Sequence, residues 1–260
     1  MQSTPFETQN EQETLLASYL AGRVQACEKE KHARSCYEFA TVIRKLDPES
    51  PLSTKYFAKG CELKDGASCF NISEQYKASG DNENAELYSG KALTNFSEAC
   101  ISGDAASCIK AGSLSAIRGT LVAARLYFSR ACALGIGAGC ARLAVLPDTP
   151  AAEAEENLKL ACQKGSGYGC YAISKNPALP AAESEELLYK SCFSNDGYSK
   201  GCIEFGSSKA NSNPEAALQA YSRGCVDLND SEACAHGKAL APRFNNYRVD
   251  KILSDLSNKQ

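Results

Sequence analysis

The sequence predicts an all-α protein, an α/α superhelical solenoid of helix pairs, and three observations carry that expectation. The first is cysteine placement. Fourteen cysteines in 260 residues fall into seven couples: Cys27 with Cys36, Cys61 with Cys69, Cys100 with Cys108, Cys132 with Cys140, Cys162 with Cys170, Cys192 with Cys202, and Cys225 with Cys234. The second is the period. Couple members lie 8 to 10 residues apart, and successive couples begin 34, 39, 32, 30, 30 and 33 residues apart. Such a period marks a helical repeat array, in which each unit buries its apolar face only against its neighbours. The third is that the segments around the couples read as amphipathic helices in one common register.

The helix that ends at the first cysteine shows this register most clearly. The residue before that cysteine is always small: Ala26, Gly60, Ala99, Ala131, Ala161, Ser191 and Gly224. Eight positions before it, six of seven units are small again, with Ser53, Ala92, Ala124, Ala154, Ser184 and Ala217. Positions seven apart share one helical face, so this face lets two backbones approach closely. Four before the cysteine stands a large apolar residue in six units, namely Phe57, Phe96, Phe128, Leu158, Leu188 and Tyr221, which is expected to supply the core.

A short polar or Gly-rich connection such as ISGDAAS or ALGIGAG follows, and the second cysteine opens another helix, as in SCIKAG or GCYAIS. One and three residues past that cysteine are mostly apolar, and the residue four past it is small in six units, so these are packing positions too. The helices then stop at DPESP, SGDNEN, LPDTP, NPALP and ANSNP, where Pro, Asp and Asn break one helix and cap the next.

With Tyr/Phe-x-x-small-Cys closing one helix and small-Cys-x-x-apolar-small opening the next, the chain resembles the Sel1-like repeat family, in particular its cysteine-rich branch, the Helicobacter cysteine-rich proteins. The likeness runs over nearly the whole chain. Two features depart from the family pattern: the units around residues 132 to 192 are only 30 residues long, and Pro-bounded turns often replace the Gly-rich one. These departures are expected to alter local curvature more than the fold. The resemblance implies a superhelix of αα-hairpins, one disulfide joining the two helices of each unit, and a protein-binding role. The short connection within each couple agrees with that pairing, and a bridge closing so small a loop contributes roughly 2.5 kcal/mol.

Other uses of the cysteines fit less well. Zinc sites place Cys two to four residues apart and often recruit His, whereas the only histidines here are His32 and His236. A catalytic dithiol sits as Cys-x-x-Cys, which does not occur. Fully reduced thiols in a cytosolic solenoid remain open, because stacking does not need oxidation. Oxidised cysteines would place the chain in the periplasm or outside the cell. The start MQSTPFETQNEQET lacks a basic n-region and an apolar h-region, so the numbering is expected to begin at a mature chain. The mitochondrial intermembrane space, home of a cysteine-rich Sel1-like cytochrome oxidase assembly factor, is the alternative.

Partner chemistry is bounded by charge. The net charge is -3 with scattered Lys and Arg, which leaves no electrostatic footprint for nucleic acid. No apolar run approaches the roughly 18 residues needed to cross a bilayer, so no membrane insertion is expected. Because some cysteine-rich relatives are described as binding or weakly hydrolysing penicillin, Ser107-Cys-Ile-Lys110 must be weighed against the Ser-x-x-Lys of penicillin-recognising enzymes. Neither Ser-Asp-Asn nor Lys-Thr-Gly accompanies it, and Cys108 inside the string belongs to a couple. No catalytic residue, cofactor or metal is expected.

Two past the second cysteine comes a mainly polar position, occupied by Glu38, Asn71, Lys110, Arg142, Ala172, Glu204 and His236. Repeats align equivalent positions as a stripe, and in related helical repeats this helix faces the concave groove. Glu38, Asn71, Lys110, Arg142 and Glu204 are therefore the candidate groove residues, with an ordinary solvated face as the other reading. The expected organisation is a disordered tail over 1–10, seven repeat units over 11–241, and a capping helix over 242–260 carrying Val249, Ile252, Leu253 and Leu256 on one face. The function expected is a non-catalytic protein-binding scaffold, monomeric, serving as effector, adaptor or toxin-immunity protein. The alternatives are a binder of penicillin or cell-wall fragments with weak β-lactamase activity, and the mitochondrial assembly factor.

Overall fold

The computed structural model describes residues 5–241, all of it helix and short connections apart from one isolated bridge between Ser166 and Asp196. The expected capping helix over 242–260 and residues 1–4 of the expected tail lie outside the described residues. Within that tail the backbone is already helical from Pro5. Two compact units, residues 1–115 and 116–260, divide the chain.

The first unit contains α1 (Pro5–Glu28), α2 (Ala33–Leu46), α3 (Pro51–Glu62), α4 (Gly66–Ala78) and α5 (Asn82–Ile101), with most of α6 (Ala105–Ile117). Disulfides Cys27–Cys36, Cys61–Cys69 and Cys100–Cys108 join α1 to α2, α3 to α4 and α5 to α6. Phe57, Ile72 and Phe96 are buried where the register places them, and Phe39 packs on Tyr56 with ring centres 4.4 Å apart.

The second unit contains α7 (Leu121–Ala133), α8 (Gly137–Ala144), α9 (Ala151–Gln163), α10 (Gly167–Ser174), α11 (Ala181–Phe193), α12 (Ser199–Lys209), α13 (Pro214–Ser222) and α14 (Ser231–Leu240). Its pairs are bridged by Cys132–Cys140, Cys162–Cys170, Cys192–Cys202 and Cys225–Cys234, the last reached through a π-helical turn over Arg223–Asp227. Leu188, Cys192, Cys202, Phe205 and Ala220 form one buried cluster, and Ala217, Leu218, Tyr221, Leu240 and Ala241 another.

The four pairs whose cysteines lie 8 residues apart share one corner. After α5, the Gly103 amide donates to the Cys100 carbonyl and the Asp104 amide to Ala99, the Schellman pattern that turns a chain out of a helix. The backbone there must enter the left-handed region, which Gly103, Gly135 and Gly165 do without a Cβ clash, while Lys64 takes the same position at φ 67°. Side chains then start the next helix: Asp65 accepts from the Ser68 amide at 2.6 Å, and Ser166 from the Gly169 amide at 3.4 Å.

At the bridged end of every pair the two backbones nearly touch, with the cysteine Cα atoms only 4.4 to 4.9 Å apart. The small residue before the first cysteine makes that possible, and a second small residue, the one before the second cysteine, faces it. Gly60 meets Ser68, Ala131 meets Gly139, Ala161 meets Gly169, Ser191 meets Gly201, and Gly224 meets Ala233. In each of these pairs one partner is glycine. A Cβ on Gly139 would lie 2.6 Å from the Cys132 amide nitrogen, and one on Gly169 would lie 2.6 Å from the Ala161 Cβ.

One core expectation fails. Leu158 and Ile173 occupy core register, yet both are only half-buried. The cause is helix length: α8 and α10 have 8 residues each, against 14, 13 and 13 in α2, α4 and α6. Pro147 and Pro177 stand a few residues past those helix ends, where proline supplies no N–H and clashes with the preceding turn. The missing turns leave α9 and α11 partly uncovered.

Alanine in place of a helix-interior glycine ordinarily stabilises by about 1 kcal/mol. Gly90→Ala, where nothing lies within 4 Å of the new methyl group, should follow that rule. Gly139→Ala should instead destabilise by about 1–3 kcal/mol through overpacking. Chemical denaturation of both oxidised variants distinguishes the sites.

Candidate binding cleft

The uncovered ground between α9, α10 and α11 is a cleft of about 1010 Å³. Ala154, Leu158, Cys162, Ile173, Leu179 and Leu187 give it an apolar floor, and Glu155, Lys159, Lys175, Glu183 and Lys190 stand around it. Ala154, Leu158 and Cys162 share one stripe of α9 because they recur at i, i+4 and i+8. Leu179 arrives from the Pro-bounded connection that replaces the end of α10. An apolar floor with a few charged groups around it is the composition of a recognition site rather than of a sealed core.

Each of the three rim lysines is paired with a carboxylate. Lys159 meets Glu155 at 2.6 Å and Lys190 meets Glu186 at 2.6 Å, both at helical i, i+4 spacing. Each lysine holds its carboxylate below the usual range by donating a hydrogen bond to it. Lys175 on the rim pairs with Glu204 of α12 and also lies 4.7 Å from the centre of the Tyr171 ring. The Tyr171 hydroxyl donates to Glu204 at 2.8 Å, and its ring packs 5.0 Å from that of Tyr198. Burial, and then the bond to the Glu204 carboxylate, pushes the Tyr171 phenol up to about 12.

The sequence-derived stripe is placed as follows. Glu38 is half-buried and bound by Arg23 at 3.0 Å and Arg34 at 3.3 Å. Arg23, with His32 and Ser35, lines a smaller cleft of about 480 Å³ in the first unit. Asn71 donates to the Ala67 carbonyl of its own helix at 2.8 Å. Lys110 and Arg142 are exposed, Arg142 lying 5.8 Å from the centre of the Phe128 ring. Glu204 is taken up by Tyr171 and Lys175 as described. His236 is exposed and stacks on Tyr221 with ring centres 5.2 Å apart. Among the described residues, no hydrogen bond or ion pair joins two of the five candidates. Ala172, the stripe member without a polar side chain, is the one that lines the large cleft. The sequence reading missed the cleft itself, although the 30-residue units and the short run between Cys170 and Pro177 signalled it.

Ser107 has a structural task. Its hydroxyl is buried and donates to the Asp104 carboxylate, which also accepts from the Ala106 amide at 3.1 Å, so both groups organise the first turn of α6. Every cysteine is paired, and among the described residues no three His, Cys, Asp or Glu side chains gather as a metal site. No described helix is long and apolar enough to cross a membrane.

The Tyr171 phenol ionises near 10 when unfolded and near 12 when folded, so its stabilising effect is complete below pH 10 and is lost as pH rises towards 12. Titration of tyrosinate absorbance should show late ionisation of Tyr171 and of Tyr56, which burial also pushes up, among the twelve tyrosines, with the Tyr171 component absent from Tyr171→Phe. At neutral pH that variant should be about 0.5–1.5 kcal/mol less stable for want of one hydrogen bond.

No family model matches the sequence, and neither does any curated protein. Solved structures do match in fold. A Sel1 repeat protein from Oxalobacter formigenes superimposes with a TM-score of 0.53 at 14% identity, over 80% of this chain and 92% of that one. A protective antigen of uropathogenic Escherichia coli strains displaying an SLR fold gives 0.44 at 16% identity, over 96% of this chain and 61% of its own. An immunity protein from Pseudomonas aeruginosa gives 0.41 at 15% identity, over 65% and 69%. The first of these likenesses carries the fold assignment, and the helix pairs and bridged corners agree with it. The chain therefore has the fold of a Sel1 repeat solenoid, with one disulfide to each helix pair.

Proposed function

We propose that the protein is a non-catalytic scaffold that binds another protein, acting in an oxidising compartment of the bacterial envelope or outside the cell as an effector, adaptor or immunity protein. The observation that carries this reading is the cleft between α9, α10 and α11, where half-buried aliphatic side chains lie open beside paired charges. Apolar anchors ringed by polar groups supply most of the energy in protein recognition. The bridged corner between α9 and α10 keeps that surface pre-organised, which lowers the entropy lost on binding.

Exposed Lys110 and Arg142 are the members of the stripe that remain available to a partner in this reading. Glu38, Asn71 and Glu204 instead hold their own helices and neighbours. Seven disulfides support the compartment, because the cytosolic thiol pool keeps such pairs reduced.

Leu158→Glu places a charge on the floor of the cleft without entering a buried cluster. Co-purification from the native source should recover a partner with the unaltered chain and lose it with this variant, while the helical content of the variant stays the same. Normal capture by Leu158→Glu would remove the cleft from the proposal, and normal capture by a charge-swapped Lys110/Arg142 double variant would remove the stripe. Turnover of a chromogenic β-lactam, abolished by Ser107→Ala, would overturn the non-catalytic reading. A thiol count on the denatured native protein should find none, and several free thiols would argue against the compartment.

A further inference from the structure

The seven disulfides differ in what surrounds them. Twelve of the fourteen cysteines are 7% exposed or less, while Cys162 and Cys234 are half-buried. Cys234 packs against the cluster of Ile203, Cys225 and Ala233. Cys162 instead forms part of the wall of the large cleft, beside Lys159, Lys175 and Lys190. Cys61 borders a smaller cleft of about 490 Å³ but is only 7% exposed.

We propose that Cys162–Cys170 is the exchange-competent disulfide of this protein, and that Cys162 is the sulfur which a low-molecular-weight thiol attacks from the cleft. Exchange requires a thiolate to reach a disulfide sulfur, so access decides which of several pairs reacts first. The cleft provides that access. The attacking thiolate forms a new S–S bond to Cys162 Sγ. The Cys162–Cys170 bond breaks, and its electron pair leaves on Cys170, which takes a proton from water. A second thiol then attacks the outer sulfur of the mixed disulfide, releasing the Cys162 thiol and one molecule of the oxidised thiol. Two small thiols are thus oxidised and one protein disulfide is reduced.

Cys170, the fourth residue of α10, is only 1% exposed, so an incoming thiol reaches Cys162 and not Cys170. Breaking this bridge also acts on the cleft directly. At 8 residues α10 is shorter than the roughly 12 to 15 needed for a helix to persist alone, so it relies on the bridge and its neighbours for position. Reduction would therefore loosen one wall of the cleft and leave the first unit unchanged.

The test treats the complete oxidised protein, without denaturant, with a limited amount of glutathione. Samples are quenched with acid, free thiols are alkylated, and the modified peptides are identified by mass spectrometry. Glutathione should appear on Cys162 and the alkyl group on Cys170, roughly tenfold ahead of any buried pair, whose attack first needs a local opening. Ala172→Trp, which fills the cleft without altering a cysteine, should slow this pair and no other. First reaction at Cys225–Cys234, simultaneous reaction of several pairs, or glutathione on Cys170 would each overturn the assignment. So would an Ala172→Trp protein, folded by circular dichroism, that reacts at the unaltered rate.

Discussion

At the bridged corner of each pair, two helices come close enough for their backbones to touch, and most of the architecture hangs on that contact. It is short because at least one of the two residues preceding the cysteines is glycine in five pairs, and small in the other two. Close approach brings the sulfurs within bonding reach, and the bond in turn holds helices of 8 to 24 residues at an angle their own hydrogen bonds would not fix. In the four pairs with cysteines 8 residues apart, a Schellman turn satisfies backbone groups that the sharp reversal would otherwise leave without partners.

Because that contact is local, what happens at the far end of a helix can vary without disturbing it. Additional residues inside a couple are absorbed nearby: the ten-residue separation of Cys192 and Cys202 passes through the loop that bridges Asp196 to Ser166, and the nine-residue separation of Cys225 and Cys234 through the π-helical turn. At the other end, prolines cut α8 and α10 to 8 residues while their corners stay closed. Lost packing area there becomes exposed apolar surface, each side chain forgoing a part of the roughly 1.5–3 kcal/mol that full burial supplies.

Much of the fold was legible in the sequence because it repeats. Cysteine spacing gave the units, small residues before the first cysteine gave the contact face, and aromatic residues four before it gave most of the core. The matching row before the second cysteine, Ser35, Ser68, Ser107, Gly139, Gly169, Gly201 and Ala233, was equally visible but acquires meaning only once it faces the first. The cleft was signalled only indirectly, by the short units, since Leu158 has core register and is uncovered because a different helix ends early. The polar stripe shows the same limit. Helical position follows from spacing, whereas the partners of Glu38 and Glu204 come from residues 15 and 33 positions away.

The proline that ends α10 has a consequence for how such a protein diversifies. A change in where that helix stops alters the size of the open surface in steps of one turn, and it does so downstream of the cysteine, beyond the part of the unit that determines whether the pair closes. Helix length after the second cysteine is thus a variable that natural selection can adjust for recognition while the folding requirement, concentrated in a few residues around each bridge, stays fixed. Two proteins with matching corners and different helix ends would share an architecture and present unrelated surfaces.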